Sequence, residues 1–268
     1  MKFKSEPNTS AGEFFEVLEK SGYRWHANIE GTVKQNGFEV PQGTTVLAFH
    51  FQDGVIVAGD RRATAGNSIM YEMCDKVIPI DNYTLMAIAG VPATAFEMGR
   101  VLSHNFEYYR RSQLQSMSVE GKIRALSKLL KENVGMAVQG LGVVSPIFAT
   151  YDPTRKKANI HFYDMLGADF QIRTHTATGS GSQIIRGILE HEDLWGQNPL
   201  AERTREQAMT LAVRLLQTAS QFDSATGQAR PEDDIFPTLA ILTEEGYRFA
   251  GDDETAEIYR TSMERGNP

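Results

Sequence analysis

Cysteine is nearly absent from this 268-residue chain: the one present, Cys74, cannot close an internal disulfide and fits a reducing cytoplasm. Histidine is scarce as well, and the six residues are scattered with no close pair at metal-ligand spacing, which argues against a zinc site. No apolar run approaches the ~18 residues needed to span a bilayer. The opening MKFKSEPNTSAGEFF has two lysines but no continuous apolar core behind them, so it does not read as a secretory signal. Positive charge is in deficit. A net charge of −7 argues against nucleic acid or an anionic membrane as the partner. There is no low-complexity stretch and no fixed-period repeat. What is present, 41% hydrophobic and 23% charged residues, is ordinary for a globular protein with a sizeable core.

Residues 1–43 differ from the rest. AGEFFEVLEKSG can make a short helix, but the segment around it is polar, punctuated by Gly and Pro, and reads as a separable leader with little core of its own. From Thr44 the pattern is regular. TVLAFHF and VIVAGD, joined at QDG, predict a hairpin, and KVIPI and TLMAIAG, joined at DNY, predict a second. The period then changes to about 3.6. In PATAFEMGRVLSHNFEYYRRSQ, residues Ala95, Met98, Leu102, Phe106 and Tyr109 share a helix face, with Pro92 in the first turn where proline is tolerated. A second helix begins at Ser118 as N-cap and runs through Ala137. VVSPIFATYD, ANIHFYDML and FQIRTHTAT read as strands, followed by a helix from near Ser180 and one carrying Ala208, Leu211, Leu215 and Ala219. FPTLAILT and YRFA make a closing hairpin before a charged helix around Glu254–Arg260. Amphipathic helices need a sheet to cover, and sheets this apolar need covering on both faces. Two central sheets with a helix layer outside each satisfy both demands.

The Gly43–Thr44 junction carries the chemistry. A threonine hydroxyl is a poor nucleophile without a base beside it, but an N-terminal threonine brings its own α-amine. That amine titrates near ~7.7–8, so a neutral fraction exists to accept the hydroxyl proton. While residues 1–43 remain attached, the Thr44 nitrogen is an amide and cannot serve. The leader would then be a lock, removed by cleavage at Gly43–Thr44, with Gly43 leaving the carbonyl sterically open.

GTTVLAFHFQDGVIVAGDRRATAGN, KVIPIDNYTLMAIAG, TGSGS and DSATG, in that order and spacing, resemble the β-subunits of proteasomes, the bacterial, actinobacterial type most closely. The resemblance covers nearly all of residues 44–250. It implies an α+β fold, a four-layer αββα sandwich of two antiparallel sheets, with residues 1–43 as a propeptide and 44–268 as the threonine-peptidase domain. By this resemblance Thr44 is the nucleophile, Asp60 and Lys76 the acid and ammonium beside it, and Gly90 the amide that faces the oxyanion. Ser180 and Asp223 would order the threonine amine, with Thr226 at the next hydroxyl position. Taken alone, Ser180 reads as an N-cap and Asp223 as a C-terminal turn. Arg62 would support Asp60 or stand solvated.

The same resemblance implies that peptides bind as an added strand along Thr64 and the segment after Gly90. Pro92 departs from the family pattern there, removing one N–H. The primary pocket would be lined by Ala63, Cys74, Ile78, Ile88 and Phe96, which favours cleavage after hydrophobic residues; the same residues also read as simple core. The implied partners are a heptameric β-ring stacked on a second, flanking α-subunit rings, an ATP-dependent unfoldase reached through them, and unfolded protein substrates. No metal or organic cofactor is implied. Two other readings share parts of this pattern: an N-terminal nucleophile amidohydrolase acting on a small amide, and an inactive structural ring subunit. The shorter, heat-shock-type bacterial relative also begins Thr-Thr, but the long C-terminal region and DSATG point away from it.

Overall fold

The computed structural model describes residues 12–23, 43–66 and 68–264. Residues 1–11 and 24–42 of the expected leader lie outside the described residues. Its described helix, α1 (Gly12–Lys20), precedes the hairpin of β1 (Thr45–Phe51) and β2 (Gly54–Gly59), which turns at Gln52 and Asp53 as expected. A small two-stranded sheet follows, β3 (Ala63–Ala65) with β4 (Ser68–Tyr71), which sequence reasoning did not foresee. The second predicted hairpin is β5 (Val77–Asp81) and β6 (Thr84–Ala87). The helices α2 (Pro92–Gln113), α3 (Val119–Glu132) and the short α4 (Val134–Val138) lead into β7 (Ile147–Asp152), β8 (Lys157–Tyr163), β9 (Asp169–Ile172) and β10 (His175–Gly179). Then come α5 (Ser182–Trp195), α6 (Arg205–Phe222), the hairpin β11 (Thr238–Thr243) and β12 (Gly246–Phe249), and α7 (Asp252–Glu264).

Two antiparallel sheets of five strands, ordered β10-β1-β2-β11-β12 and β5-β6-β7-β8-β9, stack face to face. The period-two alternation of β1 explains how. Val46 and Ala48 point between the sheets, where they meet Leu85, Ala87, Ile147 and Ile160 of the second sheet. Leu47, Phe49 and Phe51 point the other way, onto α5 and α6 through Ile185, Leu189, Ala212 and Leu216. Both faces of β1 and β2 are covered, so these strands read as apolar almost throughout. The outer face of the second sheet is covered by α2 and α3, through Met98, Leu102, Leu126 and Leu130 against Met86 and Phe148. This is the four-layer αββα sandwich the sequence implied, with each large aliphatic side chain contributing about 1.5–3 kcal/mol on burial.

The helix α1 packs on the sandwich: Phe14 and Leu18 lie against the α2–α3 cluster, and the Phe14 and Tyr108 rings are 5.5 Å apart. Two boundaries differ from expectation. The stretch FQIRTHTAT is two strands in different sheets, because the chain bends at Arg173–Thr174 and crosses from β9 to β10. Hydrophobic alternation is blind to such a change of sheet. The helix starting at Ser118, whose hydroxyl accepts from the Gly121 amide at 3.1 Å, stops at Glu132 instead of continuing to Ala137. Asn133 breaks it, because its side-chain amide donates to the Gly142 carbonyl at 2.6 Å and ties the chain to the following loop.

Candidate active site

Thr44 lies at the mouth of β1, where the Ser180 amide donates to its carbonyl at 3.0 Å and extends the pairing of β1 with β10. Only 3% of it is exposed. Its hydroxyl donates to the Gly43 carbonyl oxygen at 2.7 Å, which places the oxygen of Thr44 against the peptide unit that precedes it. Gly43 is dictated by its surroundings. A Cβ there would stand 1.9 Å from Thr64 Oγ1 and 3.0 Å from the side chain of Ala225, both part of the wall around the junction.

Asp60, at the end of β2, is 1% exposed and accepts four hydrogen bonds. Its Oδ1 takes the Thr45 amide at 2.8 Å and Lys76 Nζ at 2.7 Å; its Oδ2 takes the Arg62 amide at 2.9 Å and the Gly227 amide at 2.7 Å. Four donors on two oxygens fix the direction of this carboxylate. Lys76, 1% exposed, spends its three donors on Asp60 Oδ1, the Arg62 carbonyl and, at 3.5 Å, the Gly43 carbonyl. Burial pulls its pKa below the ordinary lysine value, and the Asp60 charge and hydrogen bond work against that pull. The ammonium therefore faces the carbonyl oxygen that would become an oxyanion if Thr44 attacked. Sequence reasoning put the cation near the threonine oxygen; with Gly43 attached, its nearest junction contact is the carbonyl.

A second cluster lies beside this pair. Ser180 does not cap α5: the N-cap is Gly181, with no side-chain bond. The Ser180 hydroxyl instead donates to Asp223 Oδ2 at 2.6 Å and approaches the Thr44 carbonyl at 3.5 Å. Asp223 is the C-cap of α6, as a turn residue would be, and the Thr226 hydroxyl donates to the same Oδ2 at 2.5 Å. Thr226 Oγ1 is also 2.6 Å from Thr45 Oγ1, which accepts the Gly181 amide at 3.0 Å. Ser180 and Thr226, joined through Asp223, thus bear on the Thr44 carbonyl and the Thr45 hydroxyl from two loops far apart in the chain. Thr45 and Gly227 were missed from the sequence, where the doubled Thr-Thr and the glycine closing DSATG were their only signals.

Gly90 adopts φ +116°, and a Cβ would lie 2.0 Å from the Val143 carbonyl, so the position requires glycine irrespective of chemistry. Its neighbour Val91 donates to Val143 O at 2.8 Å, and Pro92 takes the N1 position of α2 as expected. Of the pocket candidates, Ile78 and Ile88 share the outer core of the second sheet with Phe96 of α2. Ala63 and Thr64 are buried on β3, and Cys74, whose thiol is pushed up in pKa by burial, is tied to the Arg61 carbonyl by its amide at 2.9 Å. Arg62 is not solvated: its guanidinium donates to Ser224 O at 3.0 Å and to Glu72 Oε1 at 3.1 Å. Among the described residues no group of three or more His, Cys, Asp or Glu is arranged to hold a metal, and no helix is long and apolar enough to cross a membrane.

A family sequence model described as "Proteasome subunit" matches residues 40–229. A protein named proteasome subunit beta from Streptomyces griseus is 40% identical over 234 residues, 86% of this chain and 80% of the relative. One of the same name from Acidimicrobium ferrooxidans is 37% identical over 83% of this chain and 79% of its own length. Another, from Frankia alni, is 34% identical over 94% of this chain and 89% of its own.

Proposed function

The chain belongs to the proteasome family, among its β-subunits, and from that premise we propose that it is a catalytic threonine endopeptidase, released from its own leader by self-cleavage at Gly43–Thr44. Members of the family are generally threonine peptidases that assemble into core rings with α-subunits. One observation carries the finer reading. The Thr44 hydroxyl and the Lys76 ammonium converge on a single carbonyl, that of Gly43, at 2.7 and 3.5 Å.

In the self-cleavage, Thr44 Oγ1 attacks the Gly43 carbonyl carbon while a water molecule at the junction takes its proton, standing in for the α-amine that is not yet free. The C–N bond then breaks as the nitrogen takes up a proton, leaving an ester between Gly43 and the Thr44 oxygen. Lys76 stabilises the negative charge on the carbonyl oxygen while the tetrahedral centre exists. Water hydrolyses the ester, the leader departs with a carboxylate on Gly43, and Thr44 gains a free α-amine. That amine, titrating near ~7.7–8, becomes the base for the next attack by the same hydroxyl, now on a substrate peptide. Ser180, Asp223 and Thr226 hold the amine in place, the Gly90 amide receives the substrate oxyanion, and water again clears the acyl ester.

Peptide strands would lie along Thr64 and the segment after Gly90, with one bond missing at Pro92. The pocket of Ala63, Cys74, Ile78, Ile88 and Phe96 favours an apolar residue before the cleaved bond. A cytoplasmic particle of two stacked heptameric β-rings between α-rings, fed with unfolded chains by an ATP-dependent unfoldase, completes the reading. Thr44, Asp60 and Lys76 all being in place speaks against an inactive ring subunit. Intact-mass measurement of assembled particles tests the central step: active particles should contain a chain beginning at Thr44, and Thr44→Ala should leave the leader attached and peptide hydrolysis abolished. Turnover by particles that keep residues 1–43, or by the Thr44→Ala variant, would refute it.

A further inference from the structure

Arg62 holds both members of the buried pair through its backbone, its amide on Asp60 Oδ2 and its carbonyl on Lys76 Nζ. The side chain of Arg62 is in turn gripped at both ends, by Ser224 O and by Glu72 Oε1. Glu72 follows β4, and its second oxygen, Oε2, pairs with Arg230. Arg230 belongs to the same loop as Gly227, whose amide is the other donor to Asp60 Oδ2, and its Nε is 3.3 Å from Asp233. One carboxylate therefore ties together the two backbone segments that aim the Asp60 side chain.

An exposed ion pair of this kind would be worth little. Here the three side chains are 23% (Glu72), 17% (Arg62) and 33% (Arg230) exposed, and the carboxylate offers a separate oxygen to each guanidinium. The adjacent Arg61–Asp75 pair at 3.1 Å shares none of these contacts. We propose that Glu72 is a positioning residue for the Asp60–Lys76 pair, clamping the 61–62 and 224–230 segments so that their backbone groups hold the carboxylate and the ammonium in register. This rests on the reading of Thr44 as nucleophile only for its effect on turnover; the clamp itself is a property of the fold. Glu72 also offsets the charge of Arg62, which, with Asp60 and Cys74, is one of the groups acting on Lys76. Loss of Glu72 leaves the Arg62 charge unbalanced and makes the ammonium easier to deprotonate.

Two measurements test the clamp on full-length assembled particles carrying Glu72→Gln, which is isosteric, and Glu72→Ala. Hydrogen exchange in the Thr44→Ala background needs no turnover: amides of residues 61–64 and 225–230 should exchange about tenfold faster than with Glu72 present, as expected for local opening. On processed particles hydrolysing a short fluorogenic peptide, kcat should fall on the order of tenfold with KM little changed, as misplacement of a catalytic group predicts. The alkaline limb of its pH profile should move to lower pH. Arg230→Ala should reproduce the loss, and the double variant should add little to it. Unchanged exchange overturns the clamp whatever the activity does. Faster exchange with an unmoved kcat and pH profile overturns the positioning role and leaves a structural staple. Absence of turnover in the unmutated particle would sink the catalytic reading instead, and exchange would still decide the clamp.

Discussion

Lys76 Nζ stands 2.7 Å from Asp60 Oδ1 with both side chains withdrawn from solvent. Two charges so placed repay their desolvation only because each is also bound by backbone groups: Asp60 by three amides, Lys76 by two carbonyls. Removing one partner leaves the other uncompensated. Asp60→Asn should cost roughly 3–5 kcal/mol in urea denaturation, and Asp60→Asn with Lys76→Met should be milder than the single change. A double variant as damaged as the sum of both singles would show that the pair is not coupled.

Self-cleavage should tolerate no side chain at position 43. Gly43→Ala drives a methyl group into Thr64 Oγ1 and should leave the leader attached, while Thr64→Ala in the same chain should restore part of the processing. Intact mass after purification reads both. Normal processing of Gly43→Ala would mean that the junction is roomier than the Thr64 contact implies.

Thr45 is expected to matter more than a strand threonine should. Thr45→Val keeps the shape of the side chain but strips the acceptor from the Gly181 amide and the partner from Thr226 Oγ1. The buried amide left unpaired costs about 1–3 kcal/mol. A thermal midpoint indistinguishable from the parent would contradict this, as would peptide hydrolysis at the parent rate.

Acid sensitivity should come from histidines wholly or partly withdrawn from solvent. His50, His161 and His175 all have pKa values lowered chiefly by burial, with Asp169 partly opposing it at His161 and Glu190 at His175. The unfolded chain therefore binds protons that the folded chain refuses. Stability from these groups is complete above about 6.5, declines as the pH falls below that value, and levels off under the folded pKa values. His161 is the sharpest case, since among the described residues its buried Nδ1 has no hydrogen-bond partner, the Asp169 carboxylate standing 3.8 Å away. Urea midpoints measured from neutral to mildly acid pH should fall, and His161→Leu should flatten part of the slope. An unchanged slope in that variant would assign the acid sensitivity elsewhere.

The sandwich and much of its detail were legible in the chain because they depend on short-range rules. Alternation in TVLAFHF, the 3.6 period from Pro92 to Gln113 and the cap at Ser118 each declare themselves within one element, and the structure keeps them. The roles expected of Asp60 and Lys76 come instead from the resemblance of whole blocks to proteasome β-subunits, since a threonine after glycine, a lone acid and a lone lysine are each weak signals by themselves. Their arrangement was another matter. Ser180 reads as a cap, whereas Asp223 comes from the end of α6 to accept its hydrogen bond, and no local pattern marks Glu72, on which Arg62 and Arg230 close. The split of FQIRTHTAT between two sheets belongs to the same class. Periodicity and propensity act within a few residues, whereas partners in this site lie as many as 181 positions apart, as between Thr45 and Thr226, and are joined only in the folded chain. Most of the elements, and the chemical groups on hand, are written in local patterns; the β3–β4 pair, the crossing between sheets and which oxygen faces which proton emerge only on packing, because hydrogen bonds are short and the chain between their ends is long.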